Sequence, residues 1–288
     1  AIQCVREQKH DAKDIIKVIN DSFKIFFEDN LTTMIKKSIL LELNLEDKFG
    51  LVTPTSNGSH QDMNYDLMKK AIAVIVPYLV KMGMLAFENQ DLYLAYRRAK
   101  EIGIDAEKKM LKVTEGVNAY KGLIYILGLA TLSCAYTYIN QGSVADIFEN
   151  IKEISIDKFK EDKIDTFGEY AFENFQFTGA RGEAVSGLPS VRVVQEFISK
   201  YPVINNEHVS MALIKAIAIS DDTVLLKRAV SIEKYLYFKE KITSIEEYDI
   251  NKIKEVTEEC INNNISCGGA ADILITALFI NEFINIFW

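Results

Sequence analysis

The sequence is poor in helix breakers, in histidine and in paired cysteine. Fourteen glycines and four prolines stand among 288 residues, half the usual combined share of about 12%. No proline falls between Pro77 and Pro189. An all-β fold needs a turn about every 8–12 residues, so this scarcity excludes one. Three histidines, His10, His60 and His208, are too few for a His-rich metal site. Cys4, Cys134, Cys260 and Cys267 form no CxxC pair and no zinc spacing. They read as reduced thiols of a cytoplasmic protein. The polar start AIQCVREQKH lacks a signal-peptide pattern. No period of about 20–50 residues repeats, which excludes a solenoid.

Apolar residues make up 49% of the chain and charged residues 26%, the balance of a soluble globular protein. The net charge of −8 excludes nucleic acid and anionic membranes as natural partners. It also means that a polyanionic ligand must be met by local cations or by a metal ion. One run, Gly122 to Ala145, carries no charge and is long enough to raise a transmembrane reading. Its polar residues Thr131, Ser133, Thr137, Asn140 and Gln141, and its isolation, favour a buried central helix instead.

Hydrophobic spacing predicts two helices over about 11–48, broken near Asp29 and Asn30, then a loop over 50–64. Helices follow over Tyr65–Met84, with Pro77 as a kink, and over about Asp91–Lys112. The buried helix spans about Val117–Asn140, and Ser143 with Asp146 reads as a capping box. Thr166–Arg192 reads as a long ordered loop leading into a helix over about Ser190–Lys200. Asn205 opens another helix, 222–242 is helical, and Ser244 with Glu247 forms a second capping box. A last helix follows Gly268 and Gly269. The expectation is one all-α domain over 1–288, with a buried central helix and glycine-bearing active-site loops.

Function is expected in those loops. Four segments set charged residues beside glycines: 57–66, 116–122, 179–192 and 264–272. Glycine lets backbone N–H groups approach a phosphate or a ribose. None of the four is a Walker A loop, a dinucleotide fingerprint or a GxSxG elbow. From spacing alone they indicate a helical protein with a phosphorylated ligand.

Together and in this order, the segments resemble the triphosphoribosyl-dephospho-CoA synthase family of citrate lyase and malonate decarboxylase maturation. Gly50-Leu51-Val52 and Gly58-Ser59-His60-Gln61-Asp62-Met63-Asn64 match the family's entry and its Gly-x-His-x-Asp-Met-Asp loop. Gly116 to Gly122 matches Gly-Val-Asn-Thr-His-Lys-Gly. The specific stretch Gly179 to Val191 is retained, and Ile265 to Leu274 matches Ile-Ser-Pro-Gly-Gly-x-Ala-Asp-Leu-Leu. The similarity covers about residues 40–280. Departures stand at Asn64, Ala119, Tyr120 and Cys267, and at Val224 and Lys227-Arg228-Ala229 in place of Asn and Arg-Gly-Gly.

The resemblance implies glycosyl transfer. The 2′-hydroxyl of 3′-dephospho-CoA attacks C1′ of ATP, adenine leaves, and the triphosphate is kept. The product is the precursor of the lyase's acyl-carrier prosthetic group, passed on to the acyl-carrier-protein transferase. ATP and 3′-dephospho-CoA are the implied ligands, Mg²⁺ the implied ion, and a homodimer is left open. Asp62, Glu183 and Asp272 are the implied catalytic acids, with Asp62 and Glu183 also as metal ligands. Lys121 and Arg181 are phosphate candidates, and Asn118 a ribose or metal ligand. His60 would meet adenine or phosphate, and the amides of Gly268 and Gly269 a phosphate at a helix N-terminus. Ser186, Ser190 and Arg192 complete the substrate-binding set. Plainer roles compete: a helix cap for Asp62, an ion pair with Arg181 or Arg192 for Glu183, and packing for Cys267. Among Phe167, Tyr170, Phe172, Phe175 and Phe177, one ring is a candidate to stack adenine. The departures suggest a weakened nucleotide- or CoA-binding relative as one alternative; water in place of the dephospho-CoA hydroxyl would make an N-glycosidic hydrolase the other.

Overall fold

The computed structural model describes residues 12–156, 171 and 173–288. The described residues contain no strand, and the all-α expectation holds. The helices are α1 (Ala12–Leu43), α2 (Tyr65–Met84), α3 (Leu92–Val113), α4 (Lys121–Ile139), α5 (Val144–Ile156), α6 (Gly179–Val185), α7 (Pro189–Ile198), α8 (Asn206–Ile219), α9 (Thr223–Ala229), α10 (Ile232–Thr243), α11 (Ile250–Asn262) and α12 (Gly268–Phe287). A 3-10 turn, Leu85–Phe87, extends α2.

Two helices, α4 and α12, lie side by side in the centre. Neither has a polar face, so neither can sit at a surface. Helices α2, α3 and α5 cover α4, while α1, α7 and α8 cover α12. The few polar groups inside α4 are satisfied locally. Thr131 Oγ1 donates to the Leu127 carbonyl at 2.7 Å, and Ser133 Oγ to the Ile147 carbonyl at 2.7 Å. The uncharged run is not isolated as expected. Tyr65–Phe87, Lys121–Ile139 and Gly268–Phe287 are each long and apolar enough to cross a membrane. Their most apolar windows are 56%, 72% and 67% buried inside the fold; they pack on each other and on the remaining helices.

Several boundaries differ from the sequence reading. Residues 12–43 form one helix rather than two, because the polar cluster expected to break it bonds within it. Asn30 Nδ2 donates to the Phe26 carbonyl, Thr32 to Glu28 and Thr33 to Asp29, each four residues back. Within the expected loop, Gly179–Val185 is helical; 157–170 and 172, which include Phe167, Tyr170 and Phe172, lie outside the described residues. Val230, with φ +67°, separates α9 from α10 within 222–242. Ser244 is the C-cap of α10, and Asp249 caps α11 through Asn251 and Lys252. The Ser244–Glu247 box is therefore absent. Pro77 lies inside α2 as expected.

Candidate functional site

The motif segments meet although they lie in different parts of the sequence. Residues from 51–68, 118–122, 178–183 and 266–275 line one cavity of about 240 Å³, joined by Glu42 and by 219–224. The floor is apolar, with Leu51, Val52, Met68, Ile126 and Ile275 among the lining residues. The charged groups are mostly carboxylates: Glu42, Glu183, Asp221, Asp222 and Asp272, against Lys121.

The 50–60 loop is fixed by contact with the start of α12. Gly50, at φ +81°, has no room for a Cβ beside the Ile265 carbonyl. Ser59 donates from its hydroxyl to that carbonyl, and its N–H donates to the Gly50 carbonyl at 2.9 Å. This delivers His60 to Ser266, where Nε2 and Oγ are 3.0 Å apart. On the other side of the ring, Arg228 Nη2 is 2.8 Å from His60 Nδ1. The same guanidinium donates to the Ser59 carbonyl and to Asn264 Oδ1, both at 2.9 Å. Burial, and secondly the Arg228 charge, lower the His60 pKa from 6.5 to about 4. Asp62 Oδ1 stands 3.7 Å from Nδ1, beyond hydrogen-bond reach.

Asp222 is buried and spends its carboxylate on helix termini. Oδ1 accepts from Val224 and Leu225 at the start of α9, at 2.8 and 2.9 Å. Oδ2 accepts from Ala270 at the start of α12, at 2.9 Å, and the Gly269 amide also bonds to the carboxylate. A Cβ on Gly269 would stand 2.8 Å from Oδ1, so this glycine serves the approach of Asp222. The α12 terminus expected to bind a phosphate at Gly268 and Gly269 is thus already engaged by a carboxylate in its first turn.

Asp272 lies one turn further along α12, not in its first turn. Its carboxylate rests against Gly122, where a Cβ would collide with Oδ2. Burial, then the charges of Asp222 and Glu42, push its pKa well above the usual carboxylate range. Glu42 is itself paired in the interior. Lys48 Nζ donates to Glu42 Oε1 at 2.8 Å and to the Glu42 carbonyl at 2.6 Å, with the Lys48 side chain 1% exposed. Glu183 accepts from the Ser190 hydroxyl and from the Ser190 amide at 3.1 Å. Its pKa is raised, first by burial and further by Asp221, against the lowering pull of Ser190. It makes neither of the expected ion pairs with Arg181 and Arg192.

The remaining candidates divide by place. Asn118 and Lys121 line the cavity. Asn118 Oδ1 accepts the Lys121 amide at 3.1 Å, and Lys121 Nζ pairs with Glu107 at 2.7 Å. Asp62 is 58% exposed in its side chain and lies outside the lining. It is not the cap of α2 either; Asn64 Oδ1 accepts the Leu67 amide at 2.9 Å. Arg181, Ser186 and Arg192 are exposed and also outside the lining. Arg192 pairs with Glu196 at 3.1 Å. Ser190 is buried, bonds to Glu183 and lies outside the lining. Phe177 packs edge-on against Tyr235 at 5.1 Å and Phe175 against Phe177, and neither lines the cavity. Cys267 is buried, as packing requires. Glu42, Lys48 and Asp222 are not among the sequence candidates, and Arg228 and Ser266 appear in the sequence reading only within a departure and a motif. Glu42 and Lys48 belong to no motif, and Asp222 had only its place beside the Val224 departure to mark it.

The family model for ATP:dephospho-CoA triphosphoribosyl transferase matches residues 28–287. The chain is 23% identical to the 2-(5″-triphosphoribosyl)-3′-dephosphocoenzyme-A synthase of Haemophilus ducreyi, over 96% of this chain and 95% of that protein. It is 28% identical to protein CitXG of Leuconostoc mesenteroides over 98% of this chain and 67% of the relative. With CitXG of Haemophilus influenzae the identity is 26%, over 97% and 66%. The chain thus spans about two thirds of the length of these two relatives. No solved structure matches. Because the family match runs through the helical core and all four segments around the cavity, the chain belongs to the ATP:dephospho-CoA triphosphoribosyl transferase family, a family of transferase enzymes.

Proposed function

We propose that this chain transfers the triphosphoribosyl group of ATP to the 2′-hydroxyl of 3′-dephospho-CoA and releases adenine. The product is the precursor of the citrate lyase prosthetic group, for use by the acyl-carrier-protein transferase, and the setting is the cytoplasm. The observation that carries this reading is the convergence of all four motif segments on one acid-lined cavity. Acids suit the chemistry, because positive charge builds on a ribose losing its base. The C1′–N9 bond breaks with its electron pair going to adenine, and the new C1′–O2′ bond forms. Asp272 takes the hydroxyl proton, which solvent later returns to adenine. Its pKa, raised by burial and by the Asp222 and Glu42 charges, makes it a stronger proton acceptor than an ordinary carboxylate. One displacement inverts C1′, since no enzyme nucleophile is required.

Mg²⁺ enters this reading with the triphosphate. Among the described residues, no group of three His, Cys, Asp or Glu side chains is placed to hold an ion alone. A Mg²⁺ bound through substrate phosphates needs only one or two carboxylates. Glu183 and Asp221, close enough to feel each other's charge, meet that need better than the exposed Asp62. The ion would screen the phosphates from the acids. Lys121, which lines the cavity, would meet the triphosphate.

Chromatography of the protein with ATP and 3′-dephospho-CoA tests the reading. Free adenine is expected, with little ADP or AMP, and almost none with a 2′-deoxy acceptor. ADP or AMP as the main product would replace the reading with phosphoryl transfer. Adenine released without an acceptor would make the protein a hydrolase.

A further inference from the structure

The donor and acceptor roles around His60 follow from Arg228. A guanidinium has five N–H donors and no acceptor. At 2.8 Å from Arg228 Nη2, His60 Nδ1 must therefore be the acceptor. A neutral imidazole with Nδ1 as acceptor carries its proton on Nε2. That proton is donated to Ser266 Oγ, 3.0 Å away. Ser266 is fully buried from solvent and lines the cavity. Its oxygen is the acceptor for His60, so its own O–H remains to be given, and among the described residues no acceptor takes it.

We propose that Ser266 donates this hydrogen bond to N3 or N7 of the departing adenine, with Arg228 and His60 as positioning residues that set its direction. The inference rests on the transfer reaction proposed above. The choice of adenine over phosphate follows from the surroundings. The segment that carries His60 also contributes Leu51, Val52, Met63 and Met68 to the cavity lining, an apolar wall suited to a flat base. The lysine or arginine in the lining is Lys121, in a different segment, so the anionic triphosphate has its cation elsewhere. As the C1′–N9 bond breaks, negative charge gathers on the purine nitrogens. A fixed donor aimed there stabilises the transition state more than the bound substrate.

The test crosses a protein change with ligand changes. Adenine release by the wild type is compared with 7-deaza-adenine and 3-deaza-adenine release from the corresponding triphosphates, each lacking one ring acceptor. One of the two is expected to lower kcat by roughly 10–100-fold in the wild type. Ser266→Ala should lower kcat for ATP similarly, leave the KM for dephospho-CoA unchanged, and show no further loss with that analogue. Equal rates for ATP and both analogues with the wild type would overturn the proposal without any variant, as would losses in Ser266→Ala that simply add to the analogue's. A wild type that releases no adenine at all would instead remove the underlying reaction. The positioning role is read by ¹⁵N NMR of the His60 ring. Nδ1 should show the unprotonated shift and Nε2 the protonated one, and Arg228→Met should mix the two tautomers. A protonated Nδ1 in the wild type would overturn the direction assigned to the relay.

Discussion

Burial and the carboxylates of Asp222 and Glu42 make Asp272 hold its proton more tightly in the folded chain than its ordinary value of 3.8. The sign follows from linkage: a raised acid pKa means that stability falls as pH climbs from the unfolded value through the folded one. At neutral pH the charged form is a burden on the fold. Asp272→Asn removes that burden together with the proposed base. It should raise the melting temperature while lowering kcat by about 10²–10⁴-fold, and an unchanged kcat would remove Asp272 from the chemistry. His60 is the opposite case. Its pKa falls from 6.5 to about 4 on folding, so the unfolded chain binds the proton first. The contribution is fully present above pH 6.5 and is lost as pH falls toward 4, by about 3 kcal/mol. Urea unfolding at pH 7 and at pH 4.5 should show a smaller pH-dependent loss in His60→Gln than in the wild type. Identical losses would show that His60 titrates normally in the folded chain.

Two helices start on one side chain. Asp222 accepts amides from α9 and from α12, and both starts border the cavity. Asp222→Ala leaves those amides buried without an acceptor. The cost should be about 2–4 kcal/mol, measured by denaturant unfolding, and a loss below about 0.5 kcal/mol would mean that water replaces the carboxylate. The sequence made the helices legible where apolar spacing was long and caps were local, as in α2, α3 and α8. It misled where a polar side chain had two uses. Asp29 and Asn30 resemble a break, yet Asn30 bonds back along α1 and the Asp29 carbonyl accepts from Thr33. Ser244 resembles an N-cap but closes α10. Asp222, whose cap also reaches Ala270, 48 residues on, carries no local mark of that second partner. Glu183 was legible as a candidate acid and lines the cavity, but its Ser190 partner depends on α6 being a helix rather than a loop.

At the scale of the whole molecule, the motif order in the sequence was enough to anticipate a shared cavity. It was not enough to say which acids enter it. Asp62 lies inside a motif and points its carboxylate to solvent, whereas Glu42 comes from the last turn of α1, outside every motif, and lines the cavity. Motif membership reports a backbone path; burial of a side chain is settled by helices from elsewhere. The resulting charge distribution makes the final prediction. A chain of net charge −8 gathers five carboxylates around one cavity, with Lys121 the cation among the lining residues and already paired to Glu107. A triphosphate entering such a site meets repulsion that screening by salt reduces only weakly, because the charges are partly buried. A divalent ion would turn that repulsion into attraction, and Glu183 with Asp221 would be the carboxylates to hold it. Excess chelator should therefore abolish adenine release, and Mg²⁺ should restore it. Glu183→Gln should raise the Mg²⁺ concentration needed for half-maximal rate about tenfold or more, as the loss of one charged ligand costs about 1.5–3 kcal/mol. Full activity in chelator would leave the acids to the ribose cation alone, and an unchanged Mg²⁺ requirement in Glu183→Gln would move the ion to other carboxylates of the cavity.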